Sequence, residues 1–270
     1  MLKHLMIKMK RRAFGAALML TAMAAVTVMP AYGAETAYGP GREIEDKAQA
    51  QDAVQQNTAQ TLQTVYNGDV NTLQAAAVTD KLLIVVGNPS DPAKSVLTYY
   101  EKDGAGKLQP VFTAEAVSGM NGITMDKTEG DKKTPQGIYS FTMAFGMKDD
   151  PGSILPYRKV KNGDNFVDDG SSRYYNRLVN EFEVAKDWNS AENLIRQAPH
   201  YNYALVLNYN ETCTPGKGSA IFLHCPKTAN NTGTSGCISI PEERMKELVT
   251  KVDQNTRIIV VPEENALAAY

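Results

Sequence analysis

The chain has 270 residues, of which 43% are hydrophobic and 21% charged, and a formal net charge of −2. That length fits one domain of up to about 200 residues together with extra segments. The charge balance disfavours nucleic acid as a partner, because a phosphate backbone calls for a basic face.

In chain order, the first element is a leader. The segment "MLKHLMIKMKRR" holds Lys3, Lys8, Lys10, Arg11 and Arg12 and no acid. Ala13 to Met29 form an apolar run, and small residues follow at Ala31 and Gly33, the spacing a signal peptidase reads. We expect residues 1–34 to be a secretory signal peptide. An uncleaved N-terminal membrane anchor is the alternative, since the run is near the lower limit for spanning a bilayer. Without the leader, 23 basic residues face 30 acidic ones, a net charge of −7. No later segment is apolar and long enough to cross a membrane, so no stable insertion is expected once the signal is cleaved.

Residues 35–79 are polar, rich in Ala, Gln, Thr and Asp and nearly free of aromatics. They are expected to form a spacer, partly helical or disordered. The character changes at "KLLIVVGN", a β-branched run typical of a buried strand. Two β-rich runs then flank Asp103-Gly104, a hairpin signal. Further strands are expected in "GIYSFTMAF", "YNYALVLNY", "SAIFLHC", "CISI" and "TRIIVV". Short helices are expected in "AENLIRQA", with Ser190 as N-cap, and in "PEERMKELVTKV", with Pro241 in its first turn. These elements define a mainly β, mainly antiparallel domain over residues 80–270.

The chemistry-bearing stretch is "IFLHCPKTANNTGTSGCISIP", Ile221 to Pro241. Cys213, Cys225 and Cys237 are the only cysteines, an odd count that leaves one thiol unpaired in an exported protein. Zinc binding would need a fourth ligand and a close cysteine pair that the spacing lacks. A buried or disulfide-bonded Cys237 is the bland reading. The sharper one makes Cys237 a nucleophile, which needs a base for its proton and donors for the oxyanion that forms. Gly236 lets the backbone approach a substrate carbonyl, so the amides of Ser235, Gly236 and Cys237 are candidate oxyanion donors. His224, at the end of an apolar strand leading into the same loop, is the candidate base; His200, in "APHYNYALV", is the alternative.

At these residues the chain resembles the L,D-transpeptidase family with its YkuD-type catalytic domain. The resemblance rests on a strand-borne His224 followed by a loop and Thr234-Ser235-Gly236-Cys237. It is supported upstream by "GMNGITMDKTEGDKKTPQGIYSFTMAFG", where Glu129, Asp131, Lys133, Thr134, Pro135 and Gly137 match the family's segment. Many members carry His before the Gly-Cys and Arg two residues after the Cys. Ser235 and Ser239 stand at those positions here, as in a branch with Thr/Ser-x-Gly-Cys.

The resemblance implies a β-sandwich-like catalytic domain with a few short helices. It also implies transfer of a peptidoglycan tetrapeptide stem through a Cys237 thioester, with release of D-Ala and a 3→3 cross-link, in cell-wall biogenesis and cell shape. No cofactor and no metal are implied, and carbapenem-type β-lactams are expected to acylate the same thiol. An L,D-carboxypeptidase or other peptidoglycan amide hydrolase at the same site is the alternative. A non-catalytic cell-wall-binding module is the alternative from another class. The expected location is the cell wall or extracytoplasmic space of a bacterium.

The Glu129–Gly137 segment reads more as turn chemistry than as a direct contact. Tyr175 and Asn176, with Tyr174 beside them, and Thr234 are substrate-binding candidates. Asp168 and Asp169 read as solvated loop acids rather than a calcium site. Cys213 and Cys225 could pair; equally, Cys225 could be a small buried strand residue. If its strand is regular, Ile221, Leu223 and Cys225 share one face, and Phe222 and His224 the other.

Overall fold

The computed structural model describes Tyr66 and residues 68–228 and 232–270; the expected signal peptide and most of the expected spacer lie outside them. Two short 3-10 turns, Val70–Thr72 and Gln74–Ala77, open the described chain. Strands β1 (Lys81–Asn88), β2 (Asp91–Lys102) and β3 (Leu108–Val117) follow. Next come β4 (Ile123–Thr124), β5 (Thr134–Pro135), β6 (Gly137–Tyr139), β7 (Phe141–Gly146) and β8 (Tyr157–Lys159). Then come β9 (Asp164–Val167), β10 (Leu178–Asn180), β11 (Ala191–Asn193) and β12 (Ala204–Leu207). The last elements are β13 (Phe222–His224), β14 (Ile238–Ser239), helix α1 (Glu242–Lys251) and β15 (Arg257–Val261).

Ten of these strands form one sheet in the order β6-β15-β1-β2-β3-β14-β13-β12-β7-β8. A three-stranded sheet, β10-β9-β11, and the pair β4-β5 complete the mainly β architecture. The large sheet is mainly antiparallel, as expected, with three parallel pairs, β1/β15, β13/β14 and β7/β8. Each parallel pair joins strands separated by a long excursion, as parallel strands must be. The hairpin between β2 and β3 turns at Asp103, whose carboxylate accepts the N–H groups of Ala105 and Lys107 at 2.8 and 3.0 Å.

One face of the sheet is closed by α1. Leu83, Leu97, Tyr99, Leu205, Leu223 and Ile238 pack there with Met245, Leu248 and Val249 of the helix. The opposite face carries two separate apolar clusters. Val70, Leu73, Leu82, Ile84, Ile259 and Leu267 build one, so residues 70–77 are part of the packed body. Phe145, Phe166, Tyr201, Val206, Phe222 and Cys237 build the other. The expected helix at "AENLIRQA" is instead strand β11 followed by a 3-10 turn, Leu194–Gln197. The β11 residues are claimed by pairing with β9, from Ala191↔Val167 to Asn193↔Asn165, which overrides their helical preference.

Candidate active site

The parallel strands β13 and β14 set the centre. Leu223 pairs with Ile238 and His224 with Ser239, and the Ile240 N–H donates to His224 O at 3.0 Å. Side chains alternate as expected: Ile221, Leu223 and Cys225 enter the α1-covered core, whereas Phe222 belongs to the opposite face with Cys237. His224 lies two residues beyond Phe222 and so shares that face with Cys237. Cys225, pointing the other way, cannot join His224 at one metal ion.

His224 is 4% exposed and its Nδ1 lies 2.6 Å from Cys225 O. A carbonyl only accepts, so Nδ1 carries the hydrogen and Nε2 is left with the basic lone pair. Burial pushes the imidazole down to about 4, with His200 adding to the shift against the bond to Cys225 O. The ring is held between Tyr201, edge-on with centroids 5.5 Å apart, and His200, tilted at 5.5 Å. His200 is thus a neighbour of the base, and burial beside Lys227 lowers its own pKa.

The Cys237 sulfur is 7% exposed as part of its residue and donates to Ala220 O at 3.1 Å. It accepts from the Phe222 N–H at 3.3 Å. Burial raises the thiol well above its usual range, and Glu192 adds to this, while the Phe222 N–H and Lys127 oppose it. Among the described residues no hydrogen bond joins Cys237 to His224. The resting pair is therefore a neutral thiol beside a neutral imidazole.

The turn that presents Cys237 is tied down from both sides. Thr234 Oγ1 accepts the Gly236 N–H at 3.1 Å and donates to Cys237 O at 2.6 Å. The Thr234 N–H and C=O bond to Ser118 O and the Met120 N–H at 2.9 and 3.0 Å. Gly236 sits at φ +142°, where a Cβ would approach Lys133 O to 2.9 Å, so glycine is required. Thr134 Oγ1 accepts the Gly119 N–H at 2.8 Å and faces Cys237 O at 3.4 Å. The Gly236 N–H is thus engaged, which leaves the amides of Ser235 and Cys237 as the candidate oxyanion donors; Ser235 is exposed.

The upstream segment serves as a buttress. Lys127, 6% exposed, pairs with Asp131 at 2.6 Å and donates to Thr128 O at 2.8 Å. Burial alone would raise Asp131, but the Lys127 ammonium and the Thr128 and Lys133 N–H groups outweigh it and hold the carboxyl below its usual range. Glu129 accepts from Tyr175 OH and from Ser219 Oγ, the latter at 2.8 Å. Lys127 lies within the segment that resembles the family's, whereas Tyr201 and Glu192 were not singled out by the sequence: nothing in "AENLIRQA" signals that the Glu192 carboxyl accepts from the Tyr201 hydroxyl.

The substrate-binding candidates are committed internally. Tyr175 is buried on Glu129, Thr234 caps the cysteine turn, and Asn176 bonds three backbone groups of the segment 209–220. Asp169 is bonded to Ser171 and Asn189, which pull its carboxyl down to about 2. Asp168 differs from the solvated reading: its Oδ1 is buried without a partner. All three cysteines are free thiols, so Cys213 and Cys225 do not pair. An open groove of about 950 Å3 runs from Pro226 and Ser239 across Lys94, Glu115 and Val117 to Val86. Ser239 faces the same side of the sheet as Cys237, so the groove begins two residues along the strand from the nucleophile candidate.

The family model of the YkuD L,D-transpeptidase catalytic domain matches residues 82–260, and the chain belongs to that family. Among solved structures, the helical cell shape determining protein Pgp2 of Campylobacter jejuni is 18% identical, with a TM-score of 0.36 over 69% of this chain and 51% of that one. A cysteine-to-serine mutant of the Enterococcus faecium L,D-transpeptidase is 15% identical, with a TM-score of 0.33 over 68% and 50%. L,D-transpeptidase 1 of Mycobacterium tuberculosis is 16% identical, with a TM-score of 0.30 over 67% and 62%. The chain spans about half the length of the first two. No curated protein matches the sequence.

Proposed function

We propose that the protein is an exported cysteine L,D-transpeptidase that acts on peptidoglycan tetrapeptide stems. The observation that carries this reading is the hydrogen bond of His224: its Nδ1 is tied to Cys225 O, which leaves Nε2 as the basic nitrogen of a residue that shares its sheet face with Cys237. In the proposed reaction Nε2 takes the thiol proton as sulfur attacks the carbonyl of the third stem residue. The C–N bond to D-Ala breaks, the imidazolium gives its proton to the departing amine, and a thioester remains. An amine of a neighbouring stem then attacks the thioester, loses its proton to the same imidazole and frees the thiol. The amides of Ser235 and Cys237 meet the oxyanion in both halves. All charge is handled by side chains and amides of this chain.

A resting thiol held well above neutrality suits this chemistry, because a permanently ionised cysteine would react with any electrophile it met. The groove beside Ser239 is the proposed track for the stem. The leader over 1–34 and a catalytic domain over 80–270, which the turns at residues 70–77 extend at its N-terminal side, belong to the same proposal, with the wall of a bacterium as the site of action. No helix among the described residues is long and apolar enough to cross a membrane.

The test incubates protein lacking the leader, as wild type and as Cys237→Ala, with disaccharide-tetrapeptides and reads the products by mass. Cross-linked dimers short of one D-Ala, made only by the wild type, are expected. Tripeptide without dimer would make the protein a carboxypeptidase, and no Cys237-dependent product from folded protein would defeat the reading.

A further inference from the structure

Cys237 and His224 share a sheet face, yet the thiol bonds elsewhere. Its two partners, Ala220 O and the Phe222 N–H, lie two residues apart at the entrance to β13. The carbonyl stabilises the protonated thiol and the amide stabilises the thiolate, so together they fix where the sulfur rests. Ala220 adopts φ +54° while buried. A residue with a Cβ persists in that left-handed conformation only where its surroundings over-determine it.

Besides the apolar cluster that Ala220 joins, one polar side chain holds it. Asn176 Oδ1 accepts the Ala220 N–H at 3.0 Å, and its Nδ2 donates to Tyr209 O at 3.1 Å and to Asn210 O at 2.9 Å. A single amide thereby ties together both ends of the segment 209–220. Asn176 itself sits at φ +58°, a conformation that asparagine tolerates better than most residues. Every polar atom of the amide is used on backbone, and Ala220, whose N–H it grips, is the residue whose carbonyl, on the following peptide group, meets the sulfur.

We propose that Asn176 is a positioning residue for the nucleophile, holding the Ala220 carbonyl so that the Cys237 thiol is parked protonated, away from His224, until substrate draws it out. This rests on the reading of Cys237 as the nucleophile. The charged and titratable groups facing the sulfur are Glu192 from β11 with the Tyr201 phenol, Lys127 from the upstream segment and His224 from β13. Asn176 contributes no charge, so its effect on the thiol runs through the placement of Ala220 alone.

The test compares the wild type with Asn176→Gly, which keeps the left-handed backbone without strain and deletes all three side-chain bonds. Iodoacetamide labelling of Cys237, followed by peptide mass across pH, is the readout, with the Ala220 amide followed by hydrogen exchange. Loss of the acceptor is expected to move the labelling profile by about half to one pH unit toward lower pH, with faster labelling at pH 7. The Ala220 amide should lose protection in the variant while thermal unfolding stays cooperative. An unchanged or upward-shifted profile in folded Asn176→Gly would overturn the proposal. So would a wild-type Ala220 amide exchanging as fast as an exposed loop amide, a measurement that needs no variant. Labelling is independent of peptidoglycan: a shifted profile with no cross-linking by either protein defeats the function and keeps the positioning role, and the converse result does the opposite.

Discussion

At His224 and Glu192, burial acts on two ionisable groups in opposite senses. The imidazole is pushed down to about 4, so the fold refuses a proton that the unfolded chain accepts below about 6.5. Stability from this site is therefore full above that range and falls as pH drops toward 4. Burial raises Glu192 to about 7, with Asp168 and Glu129 adding to the rise and the Tyr201 hydroxyl opposing it. The fold then holds a proton that the unfolded chain gives up above about 4.5, so stability at this site is full in acid and falls as pH rises toward 7. The two slopes oppose each other between about 4.5 and 6.5 and are masked in the wild type. Chemical denaturation across pH should reveal them separately: His224→Asn should lose the acid-side fall, and Glu192→Gln the fall toward neutrality. In kinetics, the acid limb of Cys237 acylation should lie near pH 4, because neutral His224 persists to that point. A limb near 6.5 would assign the base to a less buried group, with His200 the nearest.

Among the elements, the cysteine turn depends on hydroxyls more than on apolar burial. Thr134 is fully buried, accepts the Gly119 N–H and faces Cys237 O. Thr134→Val keeps the shape and strands the amide, which should cost about 1–3 kcal/mol in urea unfolding and slow Cys237 labelling less than activity. Gly236→Ala forces a Cβ against Lys133 O at a left-handed φ and should lower activity about a hundredfold or more, with the fold destabilised by about 1–3 kcal/mol. The strands themselves were legible. "KLLIVVGN", "SAIFLHC" and "TRIIVV" carry their β-branched runs openly, and the alternation through Ile221, Phe222, Leu223 and His224 foretold which residue faces the site. Ala191–Asn193 was not legible, because its strand conformation comes from β9, a partner distant in sequence. The neutral resting thiol was hidden for the same reason: Ala220, Asn176 and Glu192 meet Cys237 only after folding.

For the whole molecule, the outer face of the sheet is shared between two apolar clusters. The first is sealed by the 3-10 turns at residues 70–77, which the polar character of residues 35–79 did not announce. Leu73 and Val70 pack there against Leu82, Ile84 and Val261. Leu73→Ala should cost about 2–3 kcal/mol, read as a lower urea midpoint at unchanged slope, with Cys237 labelling unaffected because the site belongs to the second cluster. The parallel register of β13 and β14 has a consequence for descent and for engineering. Sheet pairing, Leu223 with Ile238 and His224 with Ser239, fixes the proposed base against the proposed nucleophile, while Pro226, Lys227 and Thr228 lie outside both strands. Those three positions can accept substitutions without disturbing the strand register that spaces Cys237 from His224, whereas Gly233, where a Cβ would meet Met120 at 2.6 Å, cannot. Selection can thus retune what enters the groove while the chemistry is inherited unchanged.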